Sequence, residues 1–309
     1  MTAVLITVDT ELAWRHHAAG HGWEEVYRRS CEPAGVGLGY QLALLERHGL
    51  KACFFVDPMP ALVHGIAPVR RMVETILEGG QEVQLHLHAL WSDTRRFFEL
   101  NDLCGDGQRE MIATAIRLLM EAGAPAPIAF RAGSYAANDR TLALLADSGI
   151  AFDSSFNGSH APSPCAVSLP AGQIDPAGHH GIIEIPVTQF EERSGRLRHL
   201  QLCATSHSEM KGALAHAAAQ GQQLVTIVSH SFELATRDGL RQNRIVRRRF
   251  DALCAHLDVH RAALPTAHFA DLGTLRLDGQ TAPMAARPWR TALRNMSQFA
   301  ANLMFERRL

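Results

Sequence analysis

The sequence predicts an α/β protein, a parallel sheet of βα units curled into one barrel-like domain and followed by a basic helical tail. Three observations lead there. Short β-branched or aromatic runs alternate with longer segments of helical period. No repeat and no linker divides the first 275 residues, so residues 1–275 read as one barrel and residues 276–309 as its tail. Polar clusters fall where strands end, which is where parallel βα barrels carry their active sites.

Taken in order, the strands are expected at 3–9 (AVLITVD), 51–56 (KACFFV), 82–87 (EVQLHL), 127–131, 150–154, 181–187, 223–229 and 266–270. Helical stretches lie between them near 36–48, 68–79, 107–122, 139–148, 208–220 and 240–258. Asn138 stands where a helix N-cap is needed, and Ser206 with Glu209 has capping-box spacing. Residues 155–180, rich in Pro, Gly, Ser and His, read as a long excursion between strands, a place where function is often carried.

With 47% hydrophobic and 20% charged residues, the chain is neither disordered nor membrane-spanning, and no apolar run approaches roughly 18 residues. Net charge is −1, so no overall field favours nucleic acid. All but Lys51 and Lys211 of the 30 basic residues are arginine. The six cysteines are scattered without a C-x-x-C pair and read as reduced core residues. The chain runs from Met1 directly into a strand without a basic, then apolar, leader, which predicts a cytoplasmic location. Residues 287–309 are basic and amphipathic; such a helix packs on its own domain or touches a membrane surface.

Chemistry concentrates at the strand ends. Asp9 and Glu11 are two residues apart and so share one face, as do His86 and His88, which Trp91 follows. Two carboxylates together repel unless a cation or proton joins them. Two neutral imidazoles offered to one point make a seat for a borderline divalent metal. His230 ends the seventh strand, while Arg131 and Asp153 end others; an arginine near a carboxylate holds it ionised, and an acid near a histidine fixes its tautomer. Each of these alone is equally a salt-bridge or core residue.

The segments TVDTE, KACFFVDP, EVQLHLHALW, FRAGSYAAND and FDSSFN, in this order over residues 3–275, resemble the polysaccharide deacetylases of carbohydrate esterase family 4, the NodB-homology group. The resemblance implies a distorted (β/α)7 barrel and metal-dependent removal of acetyl groups from an N- or O-acetylated sugar or glycan precursor. It implies that Asp9 is the catalytic base, Arg131 its partner, His230 the general acid and Asp153 the acid that tunes it. It makes His86 the first metal histidine. The family's usual second aspartate and second histidine are replaced by Thr10 and Leu90, so those roles pass to Glu11 and His88. The implied cofactor is one divalent ion, zinc first, with cobalt, nickel and manganese as alternatives. Backbone N–H groups near Ser134 and Tyr135 are candidates for the oxyanion, and Trp91 for substrate contact.

Two other readings stand beside this one. One is a metal-dependent amidohydrolase acting on a small non-sugar amide or cyclic imide; the other is a saccharide-binding pseudoenzyme. Gly35, Gly37 and Gly39 follow no strand and lack a P-loop lysine, so they read as a helix start. His16, His17 and His21 read as a loop cluster. Arg241, Arg244, Arg247, Arg248 and Arg249 read as a solvated helix face.

Overall fold

The structure, a computed structural model, describes residues 2–93 and 98–301. Its frame is one mixed sheet of eight strands: β1 (Ala3–Thr10), β2 (Cys53–Val56), β3 (Glu82–Leu87), β4 (Ala129–Ala132), β5 (Phe152–Asp153), β6 (Ala177–His179), β7 (Ile182–Glu184) and β10 (Leu224–His230). The spatial order is β10-β1-β2-β3-β4-β5-β7-β6, parallel throughout except for β6 against β7. A separate hairpin pairs β8 (Gln189–Arg193) with β9 (Arg196–His199). The sheet curls, and the seam beside β10 is bridged by irregular backbone: Thr188 and Leu200–Leu202 hydrogen-bond to Thr226 and Val228. The distorted barrel expected from the sequence is what forms.

Alternation along β1 separates two cores. Val4, Ile6 and Val8 join the large cluster shared with the helices, whereas Leu5 belongs to a small interior cluster with Cys53, Phe55, Ala129, Ile185, Leu224 and Phe269. Asp9 therefore shares the interior face with Leu5 and Thr7, and Thr10 turns toward the helices. The helices are α1 (Trp14–Ala18), α2 (Trp23–Ser30), α3 (Leu38–His48), α4 (Ala61–His64), α5 (Ala67–Glu78), α6 (Gly105–Glu121), α7 (Asp139–Asp147), α8 (His207–Gln220), α9 (Arg244–Val259) and α10 (Pro288–Ala301). Both expected caps form: Asn138 Oδ1 accepts from Thr141 N at 3.0 Å, and Ser206 exchanges backbone hydrogen bonds with Glu209.

Several expectations change. The strand expected at 266–270 is a single bridge to Val4 followed by a 3-10 turn, Phe269–Asp271, whose phenyl ring stacks edge-on to Phe55 at 5.6 Å. Phe269 plugs the barrel; it adds no strand. The excursion at 155–180 ends in β6, so its last residues are part of the sheet. Gly37 is a packing requirement, since a Cβ there would lie 2.1 Å from the Cys31 carbonyl. Arg249, expected in solvent, is buried and donates to the Cys203 carbonyl at 2.9 Å and to Ser297 at 2.8 Å. Cys104 is exposed while Cys31, Cys53, Cys165 and Cys254 are buried.

The tail does pack back, though by its polar side. Arg294 is buried against Glu192, with Glu209 at 3.7 Å, while Trp289, Leu293, Met296 and Phe299 face outward. Residues 302–309, the end of the segment raised as a membrane contact, lie outside the described residues. Among the described residues no helix is long and apolar enough to cross a membrane.

Candidate active site and metal centre

Register, more than any loop, brings the strand-end residues together. In the sheet Asp9 pairs with His230 of β10, and His86 of β3 pairs with Arg131 of β4. Arg131 is fully buried and spends its donors inward: Nη1 gives to Asp9 Oδ1 at 2.7 Å and to Thr7 Oγ1 at 2.8 Å, while Nε gives to the Ser154 carbonyl at 3.0 Å and Nη2 to Ser154 Oγ at 3.1 Å. Its guanidinium also lies over the Phe55 ring at 4.4 Å. Burial alone would raise the pKa of Asp9, but Arg131, then His86 and His230, hold it below the usual carboxylate value. The Arg131 guanidinium thus favours the carboxylate form of Asp9 despite its burial.

His230 Nε2 lies 3.8 Å from Asp9 Oδ2. Its other nitrogen, Nδ1, is 2.9 Å from Glu233 Oε1. Burial disfavours the imidazolium, yet Glu233, Asp9 and Glu11 outweigh it and lift the pKa to about 9. Glu233 also accepts from Gln201 Nε2 and, at 3.2 Å, from the Cys203 thiol. The acid expected to tune His230, Asp153, is elsewhere. Asp153 is fully buried, accepts from Ser155 Oγ at 2.7 Å and shares a proton-linked contact with Glu184; burial raises both carboxyls. Asp153 is short and lies on two-residue β5, whereas Glu233 follows His230 in the turn that ends β10.

Glu11, His86 and His88 come together as the spacing anticipated. Their ligand atoms lie within 4.8 Å of one another. Glu11 Oε2 is 2.5 Å from His88 Nε2 and 3.4 Å from His86 Nε2, buried, and makes no well-directed hydrogen bond to either. His86 Nδ1 lies 2.8 Å from the Arg131 carbonyl, an acceptor that keeps the proton on Nδ1 and leaves Nε2 as the lone-pair atom. His88 rests on Gly133, where a Cβ would sit 2.4 Å from Nδ1 of its ring. Against burial, Glu11 lifts His88 to about 10, and the two imidazoles hold Glu11 well below its ordinary value. The charge of a bound cation would offset the buried Glu11 carboxylate as the His88 imidazolium does. A buried carboxylate oxygen and two imidazole nitrogens aimed at one point suit a borderline divalent ion. Thr10 is on the wrong face, with its hydroxyl bonded to the Val8 carbonyl at 3.3 Å.

Reasoning from the sequence missed Asp57, at the end of β2. Its Oδ2 is buried without a hydrogen-bond partner, and burial, opposed by His88 and His86, leaves its pKa at about 6. Its position directly after a buried strand was the available signal.

A cleft of about 450 Å³ opens over Glu11 and His88, walled by Trp14, Trp91 and Ser134. Trp91 is itself buried and meets Trp14 edge-on at 4.9 Å, with His17 at 5.3 Å, so His17 supports the wall. Ser134 and Tyr135 both adopt left-handed backbone, φ 55° and 60°, in the turn after β4. The Tyr135 hydroxyl is buried without a partner, and its ring packs against His160 and His199. Of the three-ligand cluster, Glu11 and His88 line this cleft; Asp9, ion-paired to Arg131, lies 3.8 Å from His230.

No protein-family model matches the chain, and no curated protein matches it in sequence. Among solved structures it is similar to a Mycobacterium smegmatis protein assigned to the polysaccharide deacetylases: 18% identity, 91% of this chain and 94% of that one covered, TM-score 0.52. A family 4 carbohydrate esterase from Streptomyces lividans, in complex with acetate, aligns at 13% identity over 91% of this chain and 98% of that one, TM-score 0.47. A 4-alpha-glucanotransferase from Thermococcus litoralis aligns at 8% identity over 88% of this chain and 38% of that one, TM-score 0.51. The chain has the fold that the resemblance in sequence implied. The fold serves more than one chemistry among these neighbours, so activity has to be argued from the site.

Proposed function

We propose that this protein is a divalent-metal-dependent hydrolase that releases acetyl groups from an N- or O-acetylated sugar or glycan precursor. The observation that carries this reading is the convergence of Glu11, His86 and His88 beside an Arg131-held Asp9 and a Glu233-held His230. The donor set favours zinc, with cobalt, nickel or manganese as substitutes. Such an ion, when bound, supplies Lewis acidity that polarises an acyl carbonyl and makes water a nucleophile near neutral pH.

The chain's own groups do the rest. Asp9, kept ionised by Arg131, accepts a proton from water as its oxygen bonds to the acetyl carbon. His230, protonated and fixed through Nδ1 by Glu233, gives the Nε2 proton to the leaving sugar nitrogen or oxygen as that bond breaks. Acetate and the free amine or alcohol result. Backbone N–H groups at the Ser134–Tyr135 turn are candidates to receive the oxyanion, and the unpartnered Tyr135 hydroxyl is a further donor there. Trp14, partly exposed and backed by the buried Trp91, is the candidate apolar wall for a sugar ring, so Trp91 acts as its support and not as the contact expected from the sequence.

The test is acetate release from N-acetylglucosamine oligomers, free and nucleotide-linked N-acetyl sugars, and O-acetylated xylan, by chelator-stripped protein reloaded with zinc or cobalt. Acetate from wild type, lost in Asp9→Asn and His230→Ala, is the expected result. Zinc-loaded protein that binds these sugars without releasing acetate from any would instead leave a saccharide-binding protein. Turnover confined to small non-sugar amides would make it an amidohydrolase.

A further inference from the structure

A second cluster of ligand atoms lies outside the cleft. β6 and β7 are joined by a two-residue turn, His180-Gly181, with φ 48° and 85°. Such turns favour Asn-Gly, because both positions need left-handed backbone; here a histidine takes the first. Adjacent residues of a strand normally point to opposite faces. The left-handed His180 instead swings its ring to the side of His179, the ring centroids standing 4.4 Å apart.

Both rings meet Asp139, the first residue of α7. His179 Nε2 is 3.0 Å from Oδ1 and His180 Nε2 is 3.4 Å from Oδ2. The three ligand atoms fall within 4.8 Å of one another. The carboxylate is aimed by Ser168, whose N–H gives to Oδ1 at 2.8 Å and whose hydroxyl gives to Oδ2 at 2.5 Å. That is the outer support that ligating carboxylates carry. Ser168 Oγ also lies 3.3 Å from His179 Nε2. All three ligating side chains are partly exposed, at 34%, 18% and 44% for Asp139, His179 and His180, so an ion from solvent reaches them and water completes its shell.

We propose that Asp139, His179 and His180 form a second site for a divalent, imidazole-binding metal ion such as zinc, acting as a clip. It ties three separate pieces: the start of α7, the excursion through Ser168, and the β6–β7 turn. The clip would bear on the cleft, because Asp139 follows the Gly133–Tyr135 turn by four residues. The donor set is two nitrogens and one oxygen with room for water, which suits zinc and nickel better than magnesium or calcium.

The experiment uses untagged full-length protein stripped with chelator and titrated with zinc by calorimetry, with elemental analysis at saturation. Wild type should take up two equivalents. His180→Asn, which suits the left-handed turn, and Asp139→Asn should each take up one, with folding checked by circular dichroism. His86→Ala should also take up one and keep the clip. Limited proteolysis within 155–180 should slow on zinc addition in wild type and His86→Ala, and not in His180→Asn. Uptake unchanged by both His180→Asn and Asp139→Asn, or no zinc bound by folded His86→Ala up to millimolar zinc, would overturn the proposal. Neither result depends on the hydrolase reading, since activity is not the readout.

Discussion

Glu233 holds Nδ1 of His230 at 2.9 Å from a position three residues further along the chain, where β10 ends in a turn. A carboxylate there stabilises the imidazolium, so His230 keeps its proton up to about pH 9. The acid form is therefore present below that pH and lost above it.

If His230 is the general acid, activity falls on the alkaline side near pH 9. Glu233→Gln should move that limb down toward about 6.5, the ordinary histidine value. His230→Ala should cost roughly 10²–10⁴ in kcat. Asp153→Asn should leave the limb in place, because Asp153 bonds to Ser155 and not to His230. A pH–rate profile of the three variants checks this; a limb that moves with Asp153 and not with Glu233 would refute it.

Arg131 is a buried cation with four hydrogen bonds and one carboxylate partner. Arg131→Met removes the hydrogen-bonded cation from Asp9 and leaves it only the histidines, the His230 Nε2 atom at 3.8 Å. The expected loss of stability is about 3–5 kcal/mol, read by urea unfolding, together with loss of activity. Asp9 held below its ordinary pKa contributes stability that is present above the unfolded-state pKa and lost as pH falls through the folded one. The gap between wild type and variant should accordingly shrink in acid.

Gly133→Ala places a methyl group where the His88 ring lies. The ring is the movable partner, so the fold should survive while one metal ligand is pushed aside. Zinc affinity at the Glu11 site should weaken by about 10–100-fold, as for other outer supports of metal ligands. Competition with a chromophoric chelator measures it, and an unchanged affinity would remove His88 from the ligand set.

Thr10→Asp puts a carboxylate at the place where the family that the sequence resembles usually carries its second aspartate. Thr10 faces the helices and is fully buried, so the new charge cannot reach the cleft. The variant should lose several kcal/mol of stability, roughly the penalty of an unpaired buried ion, and gain no metal affinity.

How much of this was readable in the sequence follows from range. Asp9 with Glu11 and His86 with His88 are two apart at strand ends, so local periodicity alone gave their common face. The Asn138 and Ser206 caps are equally local. Asp153 and Glu233 show the limit: which acid meets His230 depends on how deep β5 sits and how β10 turns, and neither is written in spacing. Arg249 reads as surface by its neighbours and is buried because α10 comes back over it through Ser297. The β8–β9 hairpin was hidden by its charged, partly exposed sequence.

The in-register pairing of Asp9 with His230, and of His86 with Arg131, sets their separations by the spacing of neighbouring strands, about 4.7–4.9 Å. Those distances belong to the backbone ladder and are indifferent to the connections above it. The Asp9–His230 and His86–Arg131 pairs are consequently fixed apart from those connections, whereas Glu11 and His88, which follow β1 and β3, are not. Exchanging the surface segments that wall the cleft would leave those two pairs in place but would move Glu11 and His88, which line it, and Gly133, on which the His88 ring rests.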